Sequence, residues 1–465
     1  MKRLKNELNS LVNRGVDRHL RIAVTGLSRS GKTAFITAMV NQLLNLHAGA
    51  RLPLLSAVRE ERLLGVKRVP QRDFGIPRFT YDEGLAQLYG TPPAWPTPTR
   101  GVSEIRLALR FRSSESLIRH FKDTSTLYLE IVDYPGEWLL DLPMLAQDYL
   151  SWSRQMTGLL QGQRAEWSAK WRQLCEGLDP LAPADENRLA LIAEAWTDYL
   201  HQCKREGLHF IQPGRFVLPG DLAGAPALQF FPWPDVDDIG ESKLAQADKH
   251  TYAGMLRERY NYYCEKVVKG FYKNHFLRFD RQIVLVDCLQ PLNSGPQAFN
   301  DMRLALTQLM QSFHYGQRTL FRRLFSPVID KLLFAATKAD HVTVDQHANM
   351  VSLLQQLVQD AWQNAAFEGI SMDCLGLASV QATQSGLIDV NGEKIPALRG
   401  HRLSDGEPLT VYPGEVPARL PGQAFWQSQG FQFEAFRPQM MNVDQPLPHI
   451  RLDAALEFLI GDKLR

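Results

Sequence analysis

One eight-residue stretch restricts the fold of this chain more than any other feature. Residues 26–33, Gly-Leu-Ser-Arg-Ser-Gly-Lys-Thr, match the G-x-x-x-x-G-K-[S/T] pattern of a phosphate-binding loop at every position. Residues 20–25 alternate polar and apolar side chains and include β-branched members, which predicts a strand. Residues 34–44 carry apolar side chains at helical spacing. A loop of this kind between a strand and a helix predicts a nucleotide-binding α/β domain.

The residue types of this loop suit a polyphosphate. Small residues let successive backbone N–H groups close around phosphate oxygens at the positive end of the helix dipole. We expect Lys32 to be catalytic, with its charge between the β- and γ-phosphates, and the Thr33 hydroxyl to be a ligand of Mg²⁺. The other residues that we expect to contact the nucleotide are Gly26, Ser28, Arg29, Ser30, Gly31 and Ala34.

The composition argues against several classes of protein. Lys and Arg number 52 against 50 Asp and Glu, so no net field indicates a nucleic-acid partner. The five cysteines form no C-x-x-C pair, which argues against a zinc site and for a reducing compartment. No apolar run reaches the ~18 residues of a membrane span, and the N-terminus lacks the pattern of a signal peptide. We therefore expect a cytoplasmic protein.

Residues 1–20 predict a basic N-terminal helix. Five Lys and Arg side chains outnumber two acidic ones, and four apolar side chains between residues 4 and 12 share one helical face. Such a face could make peripheral contact with the inner membrane. It could also pack on the chain's own domain, since the apolar stripe is only three turns long.

A second motif follows an apolar strand. We predict strands over residues 102–112 and 127–133, and the second ends in Asp133-Tyr-Pro-Gly136, which matches D-x-x-G. In phosphate-loop NTPases this Asp holds Mg²⁺ and the Gly N–H contacts the γ-phosphate. Glu137 comes next. Its carboxylate could act catalytically by orienting the attacking water, or it could cap the following helix.

Residues 52–99 show no periodicity and are rich in Gly and Pro, which predicts a long loop that is either functional or disordered. We expect the first switch at its end. Thr99 is the expected ligand of Mg²⁺ and the γ-phosphate, with Thr97 as the second choice. We expect Trp95 to stack on the base and Arg100 to contact phosphate. Each of these could equally be a structural loop residue.

A third motif, Thr337-Lys-Ala-Asp340, follows the buried strand predicted over residues 332–336 and resembles the N/T-K-x-D motif that reads guanine. A carboxylate at Asp340 can accept hydrogen bonds from the N1–H and the 2-amino group of guanine, and adenine lacks both donors. The stem of Lys338 is expected to pack over the base. Ala382 and Thr383 follow another predicted strand, where a backbone N–H could reach the guanine O6.

Together these patterns predict an α/β fold of the P-loop NTPase type, with a mostly parallel sheet, a large helical insertion and a C-terminal β extension. We expect the insertion to contact a protein partner. The predicted boundaries are residues 1–20 for the N-terminal helix, 21–138 and 275–384 for the two parts of the nucleotide domain, 139–274 for the insertion, 385–450 for the β extension and 451–465 for a terminal helix.

The chain resembles the YcjX family of bacterial stress-associated GTPases in five ordered segments: residues 16–20, 26–33, 133–138, 287–293 and 337–340. The resemblance covers essentially the whole chain. It implies a protein that binds GTP or GDP with Mg²⁺, hydrolyses GTP and acts as a switch in the response to envelope or heat stress.

The phosphate loop is also similar to the G-L-Y-R-T-G-K-S loop of guanylate-binding proteins, whose arginine stabilises the transition state in cis. Arg29 occupies the matching position. The similarity implies a catalytic role for Arg29, and the alternative is a side chain turned to solvent.

Two other functions compete with a hydrolysing switch. A nucleotide-gated scaffold would bind GTP with negligible hydrolysis, and Arg29 and Glu137 would then be inert. A small-molecule kinase is compatible with the phosphate loop alone, but the motif ending at Asp340 argues against an ATP-dependent enzyme.

Overall fold

The computed structural model describes residues 18–98, 100–114, 124–234, 236, 240–314, 329–359, 362–363, 366, 369–428 and 431–465. These residues divide between two compact units. The sheet unit draws on Met1–Tyr134, Phe279–Gly295 and Val328–Arg465, and the helical unit on Pro135–Arg278 and Pro296–Pro327.

A seven-stranded sheet forms the centre of the sheet unit, in the order β2-β3-β4-β1-β5-β6-β7. Strands β4, β1, β5, β6 and β7 are parallel neighbours, whereas β2 and β3 are antiparallel to the strands beside them. A separate antiparallel sheet has the order β10-β9-β8. The strands are β1 (Arg18–Gly26), β2 (Leu63–Arg68), β3 (Ser103–Arg112), β4 (Thr124–Asp133), β5 (Arg281–Val286), β6 (Lys331–Ala336), β7 (Ser371–Gly376), β8 (Gln384–Val390), β9 (Glu393–His401) and β10 (Pro408–Val411).

The predicted motifs follow the carboxyl ends of the parallel strands. Asp133 pairs in register with Val24, and Gly26 pairs with Leu285. All six residues of β5 are buried, as expected for a central parallel strand that is covered on both faces. The carboxyl ends of parallel strands lie on the same side of a sheet. The phosphate loop, Asp133 and Thr337 are therefore on that side.

Most of the helices belong to the helical unit. Its core is aromatic: Trp152, Trp171 and Trp196 are almost fully buried. A π-helical segment, Tyr263–Val268, joins α11 to α12. The α-helices are α1 (Lys32–Leu44), α2 (Ser56–Arg59), α3 (Tyr81–Leu88), α4 (Gly136–Leu139), α5 (Tyr149–Gly158), α6 (Gln163–Trp167), α7 (Ala169–Cys175), α8 (Glu186–Arg205), α9 (Gly214–Val217), α10 (Glu241–Ala245), α11 (Tyr252–Tyr262), α12 (Lys269–Asn274), α13 (Leu289–Ser294), α14 (Pro296–His314), α15 (His347–Leu357), α16 (Gln423–Gln427) and α17 (Leu452–Ile460).

The predicted fold class, a mostly parallel α/β sheet with an added antiparallel sheet, is confirmed. The prediction of an unstructured loop over residues 52–99 was wrong, because this stretch contains α2, β2 and α3. Strand β2 lies at the edge of the sheet and its last residues are exposed, so it lacks the apolar run of a central strand.

The boundaries of the units also differ from the predicted ones. Helix α14 lies within residues 275–384, the predicted second part of the nucleotide domain, but it is grouped with the helical unit, where Asp301 is paired with Arg164 at 2.6 Å. Residues 18–20 belong to β1 rather than to an N-terminal helix, and residues 1–17 lie outside the described part of the chain. Among the described residues, no helix is long and apolar enough to cross a membrane.

Candidate nucleotide site

The phosphate loop connects β1 to α1 and packs closely on strand β5. The Leu27 N–H donates to the carbonyl oxygen of Leu285 at 3.3 Å. A Cβ atom on Gly26 would lie 2.5 Å from the same carbonyl oxygen, so no larger residue fits there. Gly31 precedes α1 with a φ of +85°, in the left-handed region that favours glycine. The two invariant positions of the motif are therefore required by the local backbone.

The first turn of α1 presents the features of an anion site. No side chain caps this helix, so its first N–H groups have no hydrogen-bond acceptor within the helix. The Lys32 ammonium lies 3.4 Å from the carbonyl oxygen of Gly26 and so folds back over the loop. Arg29 is exposed and adopts a φ of +62°. Of the other predicted contacts, Ser28 is half-buried, Gly31 is exposed, and Ser30, Thr33 and Ala34 are buried.

The donors expected for Mg²⁺ are hard oxygens near the loop. Asp133 is 1% exposed at the end of β4, and Thr33 is buried in the first turn of α1. No group of three His, Cys, Asp or Glu side chains in the described ranges could hold a metal. A hydroxyl and a carboxylate fit Mg²⁺ when phosphate oxygens and water complete its octahedron. The residues therefore fit a metal that binds together with the nucleotide.

A cavity of about 460 Å³ lies beside the phosphate loop and is lined by Thr33, Thr97 and Arg100 among others. The structure thus brings part of the predicted first switch to the loop. The Thr97 hydroxyl accepts a hydrogen bond from Gln87 at 2.9 Å. Thr99, the preferred metal ligand of the prediction, lies outside the described residues.

Gly136 and Glu137 begin the helical unit, in the short helix α4. The Glu137 carboxylate is 6% exposed and lies 2.8 Å from the Lys204 ammonium. The N-cap residue of helix α4 is Pro135, which makes no side-chain cap hydrogen bond, and a capping role for Glu137 stays a prediction. A catalytic role for Glu137 stays a prediction.

The motif at residues 337–340 is held by an ion pair with the residue that follows the neighbouring strand β5. Lys338 adopts a φ of +62°, and its ammonium lies 2.5 Å from the carboxylate of Asp287, just after β5. Asp287 also accepts from the backbone N–H groups of Leu289 and Gln290. Burial alone would raise the pKa of Asp287, but Lys338 and the two N–H donors outweigh burial and lower it.

Asp340 is buried and held on both of its carboxylate oxygens. The Nδ1 atom of His341 lies 3.0 Å from Oδ1, and the Ala382 N–H donates to Oδ2 at 2.6 Å. The Thr383 hydroxyl donates to the Asp340 carbonyl oxygen. Burial opposes ionisation, yet His341 and the Ala382 N–H hold the pKa of Asp340 below its ordinary value. Ala382 therefore supports the carboxylate here, and its contact with guanine O6 stays a prediction.

Two phenylalanines of the C-terminal segment cover this motif. The Phe433 ring stacks on His341 with centroids 5.3 Å apart and lies 5.5 Å from the Lys338 ammonium. Phe436 meets His341 edge to face at 5.3 Å, and its carbonyl accepts from the Trp95 indole at 2.8 Å. Trp95 is therefore hydrogen-bonded to the segment that covers the motif, and its stacking on the base stays a prediction.

Sequence reasoning missed four residues that shape this site. Asp287 carries a detectable signal, because a carboxylate directly follows a buried strand within the segment 287–293. His341 adjoins the motif but matches no pattern. Phe433 and Phe436 lie about 90 residues further on in an irregular segment, and nothing in the sequence indicates their position.

Comparison with known proteins identifies the family of the chain. The family described as "YcjX-like family, DUF463" matches residues 20–464. The protein named Ras-like GTPase YcjX from Escherichia coli (strain K12) is 92% identical over 465 residues, the full length of both chains. The protein of the same name from Shewanella oneidensis is 45% identical over 476 aligned positions, covering 99% of this chain and 98% of the relative. The chain therefore belongs to the YcjX-like family.

Proposed function

We propose that this protein binds GTP with Mg²⁺, hydrolyses it to GDP and phosphate, and acts as a nucleotide-dependent switch. One observation carries the proposal: the sheet gathers a phosphate loop and a carboxylate suited to guanine at one edge of its parallel strands. The names of the two relatives support it, because both are called Ras-like GTPases.

In this proposal the chain positions the nucleotide at both ends. The backbone N–H groups of residues 28–34 and the Lys32 ammonium bind the phosphates, and the Asp340 carboxylate binds the base. Thr33 and Asp133 hold Mg²⁺, which when bound neutralises charge on the phosphates. Gly136 contacts the γ-phosphate through its N–H. Phosphoryl transfer depends mainly on such positioning and charge, so no covalent step by the protein is required.

Arg29 is the proposed source of additional charge in the transition state. It lies inside the phosphate loop, it is exposed, and its backbone is held in the left-handed region by the loop. A guanidinium can contact developing charge on the leaving and transferred phosphate oxygens. The Glu137 carboxylate can orient the attacking water only if it leaves the Lys204 ammonium or contacts both at once. We therefore assign Glu137 a smaller role than Arg29.

Single-turnover hydrolysis of GTP tests the proposal. We expect Arg29→Ala to bind GTP nearly normally and to hydrolyse it about 10³-fold more slowly than wild type. Lys32→Ala should weaken GTP binding about 10–100-fold, since it removes a charged hydrogen bond. Arg59→Ala, another exposed arginine of the sheet unit, is the matched control.

Three outcomes would contradict the proposal. A wild-type rate no faster than the uncatalysed reaction would favour a scaffold gated by nucleotide binding. Competition in which ATP displaces labelled GDP better than GTP does would favour a kinase. Unchanged binding by Lys32→Ala would remove the phosphate site itself.

The biological setting belongs to the same proposal. The family resemblance supports a role in the stress response, exerted in the cytoplasm through a protein partner of the helical unit. Peripheral contact with the inner membrane would involve residues 1–17, which lie outside the described ranges. Fractionation of cells with and without these residues would test that contact.

A further inference from the structure

The helical unit contains a cavity of about 790 Å³ that the proposed chemistry does not use. Its lining comes from α11, the π-helical segment and α12, and from the stretch 221–227, which overlaps two 3-10 helices. Apolar side chains such as Leu222, Met255 and Phe271 contribute to this lining. Its volume is within the range of ligand-binding pockets.

The charges of the cavity are arranged by depth. Two arginines are recessed, with only 11% of the Arg215 side chain and 12% of the Arg259 side chain exposed. Their carboxylate partners lie at the rim: Asp221 is 83% exposed and Glu186 is 61% exposed. An ion pair with so exposed a carboxylate contributes little. A carboxylate that enters the cavity would be shielded from water and could replace either rim partner at a recessed guanidinium.

The remaining charged side chains on this lining do not change the pattern. Glu258 and Lys266 are both exposed and opposite in charge. The recessed surface is therefore cationic and apolar, while the rim is mixed. This combination is complementary to a segment that carries an acidic side chain beside an apolar one.

Two lining residues of the cavity also pack on Trp138, two residues after the D-x-x-G motif. The Arg215 guanidinium lies 3.3 Å from the centroid of the Trp138 ring, and Phe271 meets that ring edge to face at 5.6 Å. The indole N–H donates to the Leu218 carbonyl at 3.1 Å. A Cβ on Gly214 would overlap the carbonyl oxygen of Glu137, so this segment cannot shift without moving its neighbours.

The helical part of the cavity lining contains an irregular turn. Lys266 and Val267, both lining residues, belong to the π-helical segment Tyr263–Val268. Such segments are uncommon and are frequent at functional sites, because the extra residue per turn redirects the side chains. The turn places Tyr263 against Asp141 at 2.6 Å, three residues after Trp138.

We propose that this cavity binds an acidic peptide segment of a protein partner, and that occupancy is coupled to the nucleotide through Trp138. The coupling rests on the proposed switch function, whereas the peptide site does not. Because coupling between two ligands is reciprocal, a peptide that prefers one position of residues 136–138 must change nucleotide affinity by the same factor as the nucleotide changes peptide affinity.

Selection of peptides displayed on phage against the full-length protein, loaded with GDP or a GTP analogue, tests the site. Enriched sequences should pair Asp or Glu with Leu or Phe. A synthetic, fluorescent copy of the best sequence should bind at least about tenfold more weakly to Arg215→Gln and to Arg259→Gln, the loss of one charged hydrogen bond. Arg172→Gln, an exposed arginine on α7 outside the cavity, should bind it normally.

Arg259→Gln keeps the test valid if Arg215→Gln fails to fold, because Arg259 contacts the exposed Glu186 and the Gln229 carbonyl oxygen, whereas Arg215 packs on the buried Trp138 ring. No enrichment, an acid-free consensus, or binding unchanged by both substitutions would overturn the site. To test the coupling, we measure the release rate of fluorescent GDP with and without the peptide. The peptide should change this rate in wild type, and it should still bind Trp138→Phe but change the rate less. Equal alterations would overturn the coupling, and peptide binding remains measurable if the protein binds no nucleotide.

Discussion

At the scale of single residues, the proposed function gives the Asp340 carboxylate two roles, to accept hydrogen bonds from the protein and to bind the base. Each of its oxygens already accepts one hydrogen bond, from His341 and from the Ala382 N–H. An ionised carboxylate has about four acceptor positions, so two remain for the N1–H and the amino group of guanine. The protein contacts fix the carboxylate before the base arrives, which limits the entropy lost on binding.

Replacing this carboxylate by an amide should remove the preference for guanine. Asp340→Asn presents one acceptor and one donor to two donors of the base, so we expect GTP affinity to fall about 100-fold or more. Competition of GTP and ATP against fluorescent GDP measures the change. Asp345→Asn, an exposed carboxylate five residues further on, is the control. If Asp340→Asn still prefers GTP to ATP as strongly as wild type, Asp340 does not read the base.

At the scale of elements, the short segment after Gly136 is fixed by one buried acid. Asp141 accepts from the Gly214 N–H at 2.8 and 3.0 Å and from the Tyr263 hydroxyl at 2.6 Å. Burial raises its pKa from 3.8 to about 7, although these hydrogen bonds oppose the change. The folded protein therefore keeps a proton that the unfolded chain loses above about pH 4. The protonated Asp141 therefore contributes its full stabilisation below about pH 4, and this contribution is lost as the pH rises through about 7.

Asp141→Asn should remove this dependence on pH. The amide keeps the shape of the side chain without its charge, so the melting temperature of the variant should rise relative to wild type by about 5–10 °C between pH 5 and pH 8. Thermal unfolding followed by tryptophan fluorescence reports on the helical unit. Asp198→Asn, 60% exposed on α8, should parallel wild type. Parallel profiles for Asp141→Asn would show that the buried carboxyl does not titrate in this range.

The limits of sequence reasoning are clearest for these elements. The buried strands β5 and β6 were predictable because continuous apolar runs mark them, β4 because apolar residues alternate along it, and the motifs lie at or just after the ends of β4 and β6. Strand β2 was missed because an edge strand needs no such run. The contacts of Phe433 with His341 and of Lys204 with Glu137 were beyond prediction, since tertiary packing joins segments that share no local pattern.

At the scale of the whole molecule, the last residues of the chain form ion pairs and hydrogen bonds at the amino ends of two sheet strands. The Arg281 guanidinium, at the start of β5, is fully buried and pairs with Asp462 at 2.5 Å and Asp330 at 2.9 Å. It also donates to the carbonyl oxygen of Leu459 in α17, and Lys331 contacts Asp462 at 2.9 Å. The terminal segment is therefore part of the sheet unit rather than an appendage.

Asp462→Asn should weaken these ion pairs and lower the stability of the sheet unit. A buried guanidinium would lose one of two charged partners, and because Asp462 is 33% exposed we expect a cost of about 2 kcal/mol, or a melting temperature lower by about 4–8 °C. Calorimetry measures the change, with the exposed Asp444→Asn as control. Nucleotide affinity at low temperature should be unchanged, since the substitution lies at the strand end opposite the site. An unchanged melting temperature would contradict this role.

The insertion of the helical unit also determines the order in which the protein can be completed on the ribosome. Gly26 packs on Leu285, and β1 lies between β4 and β5, yet about 250 residues separate the two partners in the chain. At translation rates of ~5–20 residues per second, roughly 10–50 s pass between the synthesis of the loop and that of its neighbour. The nascent chain must therefore carry an unfinished, apolar β1 while residues 135–278 emerge and collapse, so early chaperone binding would fall on the strand that precedes the phosphate loop.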